Sequence, residues 1–314
     1  MPELSIIIVS WNTKQLLRNC LNSIYAQTKR HPFEVIVVDN QSPDESAEMV
    51  RNEFKQVRLI ANSMNRGFAA ANNQGLAVAN GNYFLLLNPD TLVLDGAIDS
   101  LLDYALQASA GRMRLGILTC KLLNGDFSLQ QSVNRFFSFT RSVYENRFFT
   151  EVSEKLSDRY KNLFKYNHDT EGTIEWAYGA VMLFSRHLVE TIGVLDERFY
   201  IYAEEMDYFM RARKAGFTSI FLPNVRIVHL GQSSSRQKRA SMFIENYRSF
   251  YLFLLKHYGN LPYLAYRLRA HIYLACWYVK YSLGTDEESK QQKQVYKETI
   301  RWHYSKQGWN FKRA

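Results

Sequence analysis

The chain has few cysteines and no long uninterrupted hydrophobic run. Its three cysteines, Cys20, Cys120 and Cys276, are far apart and show no CxxC spacing, which argues against disulfides and against a structural zinc site. No secretory segment follows Met1, so a reducing cytosol is the expected compartment. No stretch of roughly 18 uncharged apolar residues occurs, and the sequence therefore predicts no helix that spans a bilayer.

Acidic residues are scarce in one part of the chain. Residues 231–314 contain 15 Lys and Arg but only 5 Asp and Glu. Residues 1–230 contain 24 Lys and Arg and 25 Asp and Glu. The net positive charge therefore belongs to the C-terminal tail alone. No recognisable nucleic-acid-binding motif accompanies this charge, so nucleic acid is not expected as a partner. With 46% apolar residues, the 314-residue chain can bury the core of one large domain with an appendage.

Alternating apolar strands and amphipathic helices predict an α/β fold for the first 230 residues. Residues 4–9 are a continuous apolar run, residues 14–27 carry apolar side chains at helical spacing, and residues 33–38 form a second buried strand. This βαβ unit implies parallel strand pairing. A helix at 42–54 is predicted to begin with Ser42 as its N-cap. Further strands are predicted at 57–61, 83–87, 115–123, 176–184, 220–222 and 225–229, and further helices at 69–79, 96–109, 188–192 and 204–215.

Two segments fall outside this alternation. The stretch 124–173 is polar, aromatic and irregular, and we interpret it as an insertion. The main domain is predicted at 1–232, followed by a basic, aromatic helical region at 233–314. Within that region, residues 243–281 place aromatic and apolar side chains at helical spacing among Arg and Lys. Either these helices lie on an anionic membrane surface, or they cap the main domain or form a homodimer contact.

Polar residues follow the first two predicted strands, where an open α/β sheet has its binding crevice. Ser10, Trp11 and Asn12 follow the first strand, and Asp39 follows the second. A carboxylate at Asp39 can accept hydrogen bonds from a nucleobase or a ribose. The alternative is that Asp39 is a turn or capping residue.

Arg66 and Gly67 form a second candidate for nucleotide binding. A guanidinium suits phosphate oxygens, and a glycine allows close approach of the backbone. The sequence Asn65-Arg66-Gly67 is also a common turn.

The strand at 83–87 runs directly into Asn88-Pro89-Asp90. We interpret these strand-end segments together as a site for a metal-bound nucleotide diphosphate. A departing diphosphate needs a divalent cation, and hard cations take carboxylate, phosphate and water oxygens. Asp90 is therefore a candidate ligand for Mg²⁺ or Mn²⁺, and Asn88 is a candidate for orienting it or binding ribose. His229 is a second candidate ligand, and Arg236 beyond it suits a diphosphate. The alternatives are that Asn88-Pro89-Asp90 is a plain turn, that His229 is a structural histidine and that the loop with Arg236 is a solvated linker.

Three acidic residues, Glu204, Glu205 and Asp207, lie at the start of a predicted helix. The helix dipole favours anions there, and Arg211, four residues after Asp207, can form an ordinary ion pair. Aromatic neighbours would shield a carboxylate from water and raise its pKa toward that of a general base. The cluster is therefore either a helix cap or the site of a base.

Taken together, these segments resemble family 2 glycosyltransferases, in particular the rhamnosyltransferase-like group. The resemblance covers about residues 3–232. The segments that carry it, in the order typical of the family, are 5–12, 37–40, 65–75, 87–90, 176–180 and 202–207. It implies a GT-A fold, a Rossmann-like and mostly parallel mixed sheet flanked by helices, here with a C-terminal helical appendage. It also implies a nucleotide-sugar donor and inversion at the anomeric carbon.

The resemblance assigns roles to individual residues. Asp39 would contact the nucleoside, and Asp90 would be the metal-binding acid of the family's Asp-x-Asp element, with His229 assisting the metal or the diphosphate. The segment from Trp176 through Gly179 to Ala180 would line the donor-sugar and acceptor region.

Two positions depart from the pattern of the family. Glu204-Glu205 stands where Glu-Asp is usual, and Asn88 stands where the commoner element has an acid. Glu205 is expected to be the base, with Glu204 orienting it or binding acceptor and Asp207 supporting the helix start.

The implied reaction is direct displacement of the diphosphate by a hydroxyl of a glycan or lipid-linked glycan in cell-surface polysaccharide synthesis. The expected location is the cytoplasm, including the cytoplasmic face of the inner membrane. One competing hypothesis is a catalytically silent relative that binds nucleotide sugar or glycan at a membrane. Another is a sugar-phosphate nucleotidyltransferase, which would need a Gly-rich basic segment where this chain has Ser10-Trp11-Asn12.

Overall fold

The computed structural model describes residues 2–138, 166–231 and 239–310, and all structural statements refer to them. The described residues divide into two compact units. Unit 1 comprises residues 2–136, 166–197 and 204–231. Unit 2 comprises residues 137–138, 198–203 and 239–310.

Unit 1 contains the sheet and the helices that flank it. Its strands are β1 (Leu4–Ser10), β2 (Phe33–Asp39), β3 (Arg58–Ala61), β4 (Tyr83–Leu87), β5 (Thr91–Val93), β6 (Leu115–Leu123), β7 (Leu129–Gln130), β8 (Val133–Asn134), β9 (Gly172–Thr173), β10 (Trp176–Ala177), β11 (Val181–Ser185) and β12 (Thr218–His229). Its helices are α1 (Lys14–Gln27), α2 (Ser46–Glu53), α3 (Phe68–Val78), α4 (Ala97–Ala110), α5 (Arg186–Ile192) and α6 (Glu204–Lys214).

The main sheet is mixed. Strands β3, β2, β1 and β4 are parallel neighbours, as the βαβ pattern predicts. Strand β11 runs antiparallel to β4 and β6, and β12 runs parallel to β6 but antiparallel to β5. The strand order is β3-β2-β1-β4-β11-β6-β12-β5, with β7 beside β6 and β9 beside β12. The predicted α/β class, a mostly parallel sheet flanked by helices, is confirmed.

The first βαβ unit shows why these residues fold as they do. Every residue of β1 is buried, as expected for a strand covered on both faces. Helix α1 turns Leu17, Leu21 and Ile24 toward the core. Helix α3 approaches β1 so closely that a Cβ at Gly75 would lie 2.4 Å from Cγ2 of Ile7. Small residues in α3 therefore set the distance between this helix and the sheet.

The predicted start of α2 is wrong. The helix begins at Ser46, and Ser42 is not its N-cap. The Ser42 hydroxyl accepts the backbone N–H of Asn12 at 3.0 Å, and the Ser42 N–H donates to Oδ2 of Asp39 at 3.0 Å. Asp44 serves the helix start instead, because its Oδ1 accepts both the N–H and the hydroxyl of Ser46. Ser42 therefore belongs to the loop at the sheet edge.

Several strand boundaries also differ from the prediction. The segment 176–184 forms two strands, β10 and β11, with a turn at residues 178–180 between them. Strand β12 is continuous where two strands are predicted, and its register shifts between Leu222 and Arg226, around a proline that cannot donate a ladder hydrogen bond. The described ends of the predicted insertion form β7, β8 and β9, so they belong to the sheet system of unit 1.

Unit 2 is helical in its C-terminal part. Its helices are α7 (Arg239–His257), α8 (Asn260–Leu283), α9 (Glu287–Tyr304) and α10 (Lys306–Asn310). The aromatic side chains that suggest amphipathic helices pack against one another: Tyr251 is fully buried, and Trp277 stacks on Tyr296. Buried Arg267 donates to the hydroxyl of Tyr263 at 2.9 Å. None of the helices in the described ranges combines the length and the apolar character needed to cross a bilayer.

Candidate functional site

The carboxyl ends of β1 and β2 lie side by side. Ser10 and Asp39 are partners in the parallel register, and the N–H of Asn40 donates to the carbonyl of Ser10 at 2.8 Å. Adjacent parallel strands of an open sheet form their binding crevice at this edge. The structure therefore brings the loop at Trp11 and Asn12 and the Asp39 carboxylate to one place.

Asp39 has one carboxylate oxygen without a partner. Oδ2 accepts the N–H of Ser42, whereas Oδ1 is buried and accepts no hydrogen bond from the described residues. Burial raises the pKa of this carboxyl, nearby Asp44 and Glu48 raise it further, and the Ser42 hydrogen bonds oppose them. Because an unpaired buried acceptor is costly, a ligand N–H or O–H would be favoured here. A nucleobase imide or a ribose hydroxyl supplies such a donor.

Ser10, which is predicted to contact the nucleotide sugar, is the last residue of β1. Its side chain is fully buried and shares a hydrogen bond of 2.9 Å with the Thr13 hydroxyl. Asn12 has a left-handed φ of 55°, which turns the chain out of β1 toward α1. Ser10 therefore supports the loop, whereas Trp11 is only half-buried.

Asn40 organises the loop that carries Arg66, a role that sequence reasoning misses. Its Nδ2 donates to Oδ1 of Asn65 at 3.0 Å and to the carbonyl of Gly67 at 3.1 Å. Its Oδ1 accepts the backbone N–H of Arg66 at 3.0 Å. Gly67 has a φ of 82°, a conformation that favours glycine. The loop is thus fixed through its backbone, and the Arg66 side chain is exposed beside the crevice loop.

Asp90 and His229 meet because β5 pairs with β12. The chain leaves β4 at Asn88, turns through Asp90 and forms β5, whose Thr91 lies opposite His229. Nε2 of His229 is 3.4 Å from Oδ1 of Asp90 and 3.3 Å from Nδ2 of Asn88. The two predicted metal ligands and the neighbouring amide are therefore brought together at the carboxyl end of β4.

Gln130 holds His229 in place, and it is another residue that sequence reasoning misses. Its Oε1 lies 2.7 Å from Nδ1 of His229, and its Nε2 donates to the His229 carbonyl at 3.2 Å. An amide oxygen can only accept, so Nδ1 carries the proton. In the neutral imidazole the lone pair is then on Nε2, toward Asp90. Gln130 lies in the irregular segment after β6, where no sequence pattern marks it.

The Asp90 and His229 pair fits a divalent cation. A carboxylate oxygen and an imidazole nitrogen 3.4 Å apart are donor types that divalent cations accept, and a hydrogen-bonded second imidazole nitrogen is typical of a ligating histidine. No third His, Cys, Asp or Glu of the described chain joins them in a cluster. Any further ligands would be oxygens of a diphosphate or water.

The turn at residues 178–180 connects this region with the acidic residues of α6. The carbonyl of Ala180 accepts the N–H of Asn88 at 3.0 Å. On the other side, a Cβ at Gly179 would lie 3.5 Å from Cβ of Glu205, so the turn backbone packs on the Glu205 side chain. Trp176 donates its indole N–H to the carbonyl of Arg135 at 2.8 Å, so its polar atom is used within unit 1.

Glu204 and Glu205 both have a buried oxygen without a partner. Oε2 of each residue accepts no hydrogen bond from the described residues. Burial raises the pKa of the Glu205 carboxyl to about 7, with backbone hydrogen bonds opposing the shift. Burial and the charge of Glu205 also raise the pKa of Glu204. A carboxyl that titrates near neutrality can exchange a proton with a substrate hydroxyl.

Asp207 has a structural position. It is fully buried, and Nε of Arg211 donates to its Oδ2 at 2.8 Å. The guanidinium of Arg211 also donates to the carbonyls of Ile192 and Val194. Asp207 therefore anchors α6 to the segment after α5, as the ion-pair interpretation predicts. Arg236, the predicted diphosphate contact, lies outside the described residues.

The chain enters α6 through strained backbone. Tyr202 and Ala203, directly before Glu204, have φ values of 69° and 61°. Consecutive non-glycine residues in this region each cost about 1 kcal/mol or more, and such conformations concentrate at functional sites. The strain coincides with the point where the acidic pair is positioned.

A cavity of about 520 Å³ lies at the opposite edge of the sheet. Its lining includes Tyr83, Arg114, Arg186 and Phe217. Arg186 donates to backbone carbonyls such as that of Gly81, and the guanidinium of Arg114 lies over the Phe217 ring. These cations are used for packing, and the crevice at the carboxyl ends of the strands remains the candidate site.

The fold is a mixed α/β sheet flanked by helices, and its site combines an aspartate with one unpartnered buried oxygen, a carboxylate and imidazole pair, and two glutamates with buried carboxylate oxygens. The sequence model of glycosyl transferase family 2 matches residues 5–161. The chain therefore belongs to glycosyl transferase family 2 and is a glycosyltransferase.

A relative by sequence agrees with this assignment, and two solved structures agree with the fold. An N-acetylglucosaminyl-diphospho-decaprenol L-rhamnosyltransferase from Mycobacterium tuberculosis is 26% identical over 271 residues, which cover 82% of this chain and 85% of that protein. A mannosyltransferase from Pyrobaculum calidifontis, solved in complex with GDP-Man and Mn²⁺, has a TM-score of 0.57 at 16% identity and covers 97% of this chain and 88% of its own. S. aureus TarS 1-349 in complex with UDP has a TM-score of 0.50 at 17% identity and covers 98% of this chain and 73% of its own. The predicted rhamnosyltransferase-like family resemblance and GT-A fold are confirmed.

Proposed function

We propose that the protein is a metal-dependent, inverting hexosyltransferase that moves a sugar, with rhamnose as the leading candidate, from a nucleoside diphosphate to a hydroxyl of a lipid-linked glycan. The observation that carries this proposal is the Glu205 carboxyl, whose Oε2 is buried and whose pKa is raised, packed against the turn that hydrogen-bonds to Asn88. Glu205 and Asn88 thus contact the same short turn, which would place the base beside the edge that binds the diphosphate.

The donor would bind along the carboxyl edge of β1, β2 and β4. Asp39 would accept a hydrogen bond from the nucleoside through Oδ1, which has no partner among the described residues. The exposed Arg66 guanidinium, on the loop fixed by Asn40, would contact the diphosphate. Asn88 would hydrogen-bond ribose or orient Asp90.

Asp90 and His229 would hold Mg²⁺ or Mn²⁺ together with diphosphate oxygens. When bound, the ion would supply positive charge that stabilises the departing diphosphate. In the neutral imidazole, Gln130 would hold the proton on Nδ1 and so leave the lone pair of Nε2 directed at the ion.

Glu205 would take the proton from the acceptor hydroxyl while that oxygen attacks the anomeric carbon from the face opposite the diphosphate. Burial brings the pKa of Glu205 near neutrality, where an ionised carboxylate still has enough basicity to accept the proton. Glu204, with its own raised pKa, would orient Glu205 or bind the acceptor. Direct attack inverts the configuration and needs no covalent enzyme intermediate.

The acceptor and compartment are proposed from the relatives. The M. tuberculosis relative is named for transfer of L-rhamnose onto a polyprenyl-linked N-acetylglucosaminyl diphosphate. We infer an acceptor of the same class here, a glycan on a lipid diphosphate. Synthesis of a cell-surface polysaccharide at the cytoplasmic face of the membrane follows from such an acceptor.

The proposal is tested by release of nucleoside diphosphate. The purified protein is incubated with a panel of nucleotide sugars, Mn²⁺ and polyprenyl-diphosphate N-acetylglucosamine, and the product's anomeric configuration is determined. The proposal expects acceptor-dependent release, inversion, and loss of release in Glu205→Gln but not in the exposed control Glu287→Gln. A retained configuration would contradict it. Donor binding without any release would favour a catalytically silent relative.

A further inference from the structure

The outward face of α8 is apolar along its whole length. Six aliphatic side chains on this helix are between 48% and 80% exposed. They are Leu261, Leu264, Leu268, Ile272, Val279 and Leu283, and we refer to them as the outer stripe. Cys276 is exposed between Ile272 and Val279 and continues the stripe. An exposed face of a helix normally carries polar side chains, so this arrangement needs an explanation.

The spacing makes the stripe continuous. Successive members, counting Cys276, are three or four residues apart, so they lie in one line along the helix. The 24 residues of α8 span about 36 Å at a rise of about 1.5 Å per residue. The other face of α8, with Leu274 and Trp277, packs inside unit 2. The outer stripe is therefore not the face that stabilises the helical unit.

The charge of this region favours an anionic partner. Residues 231–314 carry 15 Lys and Arg against 5 Asp and Glu, and α8 itself contains Arg269 and exposed Lys280 but no acidic residue. A second copy docked on the stripe would bring two basic surfaces together, whereas acidic lipid headgroups would be attracted to it.

Two exposed aromatic residues lie beside α8. The Tyr304 hydroxyl is 2.6 Å from Nδ1 of His271, and the Trp309 ring centre is 3.9 Å from the Arg267 guanidinium carbon. His271 and Arg267 are the residues that precede two members of the outer stripe in the sequence. Tyr and Trp are enriched where a protein meets the headgroup layer of a membrane.

We propose that the outer stripe inserts into the headgroup and acyl boundary of an anionic bilayer, with α8 lying parallel to the surface. The aromatic residues that the sequence suggests for membrane contact pack inside unit 2. The aliphatic residues of the outer stripe make the contact with the bilayer instead. The binding goes beyond the proposed transfer reaction and does not depend on catalysis.

The native cysteine provides the test. Cys20 and Cys120 are buried, and burial raises their thiol pKa values, so an environment-sensitive fluorophore would label exposed Cys276 selectively. The labelled full chain is mixed with vesicles of phosphatidylcholine and phosphatidylglycerol. We expect a blue shift of the emission and quenching by lipids that carry a quencher in the acyl chain. Unchanged emission with these vesicles would overturn the proposal.

Two double variants distinguish insertion of apolar side chains from attraction by net charge as the cause of vesicle binding. Leu264→Asp with Ile272→Asp should weaken vesicle binding about tenfold or more, because two apolar side chains no longer enter the boundary. Lys290→Gln with Gln291→Glu, on exposed positions of α9, changes the net charge by the same amount and should retain most binding. Equal losses in both variants would contradict insertion. A lipid-free dimer by sedimentation in which the Cys276 label is already blue-shifted would assign the stripe to a second copy instead.

Discussion

Nδ1 of His229 lies 2.7 Å from Oε1 of Gln130, on the side of the imidazole opposite Asp90. This contact fixes the tautomer of the histidine and leaves Nε2, 3.4 Å from Oδ1 of Asp90, as a potential ligand. The two residues are 99 positions apart in the sequence and meet because β7 and β12 both pair with β6.

Replacing Gln130 should weaken metal binding without unfolding the protein. Gln130→Ala removes the acceptor that orients His229, and loss of such a partner typically costs about 10-fold to 100-fold in metal affinity. Titration of Mn²⁺ in the presence of a nucleoside diphosphate measures the effect. Gln291→Ala, an exposed glutamine on α9, is the matched control. An unchanged Mn²⁺ affinity in Gln130→Ala would contradict the role of Gln130 in orienting His229 for the ion.

The rate of transfer should depend on the ionisation of Glu205. Its pKa is raised to about 7, and only the ionised form can accept the proton of the acceptor. The rate of the chemical step should therefore fall as the pH drops below about 7 and reach a plateau above it. Glu205→Asp should keep part of the activity with a shifted profile, whereas Glu205→Gln should lose the activity. A profile that is flat between acidic and alkaline pH would count against Glu205 as the base.

The same carboxyl should destabilise the folded protein at alkaline pH. Its folded pKa lies above its unfolded value of about 4.5, so the folded state binds the proton more tightly and stability falls as pH rises between the two values. Glu205→Gln should therefore increase the free energy of unfolding at pH 8 by on the order of 1 to 3 kcal/mol and change it little at pH 4. Denaturant titration at both pH values measures this difference, and equal effects at both would contradict a buried, ionised Glu205.

Asp39 should determine nucleotide affinity. Asp39→Ala removes the acceptor that has no partner among the described residues, and loss of a hydrogen bond to a charged group costs about 1.5 to 3 kcal/mol, or about 10-fold to 100-fold in affinity. Calorimetric titration with a nucleoside diphosphate measures the loss. Glu48→Gln, an exposed change on neighbouring α2, should bind normally. Equal affinities of Asp39→Ala and the unchanged protein would place the nucleoside elsewhere.

The sequence predicts the framework of the sheet well because the apolar patterns of its strands and helices extend over many residues. Strand β1 is a continuous buried run, and α1 has the predicted bounds since its apolar stripe extends over four turns. Strand β5 has three residues, too few to show a period, yet its pairing with β12 creates the contact between Asp90 and His229. Ser42 is predicted as a cap from local sequence, but its long-range hydrogen bond to Asn12 and its local bond to Asp39 decide its position.

The site is predictable where its residues follow strands, and less so where they support other residues. Asp39 and Asp90 are marked by their positions after apolar runs. Asn40 and Gln130 act through hydrogen bonds to residues distant in the sequence, and nothing in their local context reveals those partners. In α8, apolar side chains occur on both faces, so periodicity alone does not tell which face packs inside. The structure shows that the aromatic face is internal and the aliphatic face is exposed.

The central claim is that the carboxylate at the end of β4 holds the cation needed for departure of the diphosphate. The most direct measurement is the Mn²⁺ dependence of nucleoside diphosphate release in Asp90→Asn, compared with Asp95→Asn, whose side chain is exposed. We predict that Asp90→Asn loses Mn²⁺-stimulated release by at least about 100-fold while Asp95→Asn retains it. Undiminished Mn²⁺-stimulated release in Asp90→Asn would contradict the claim.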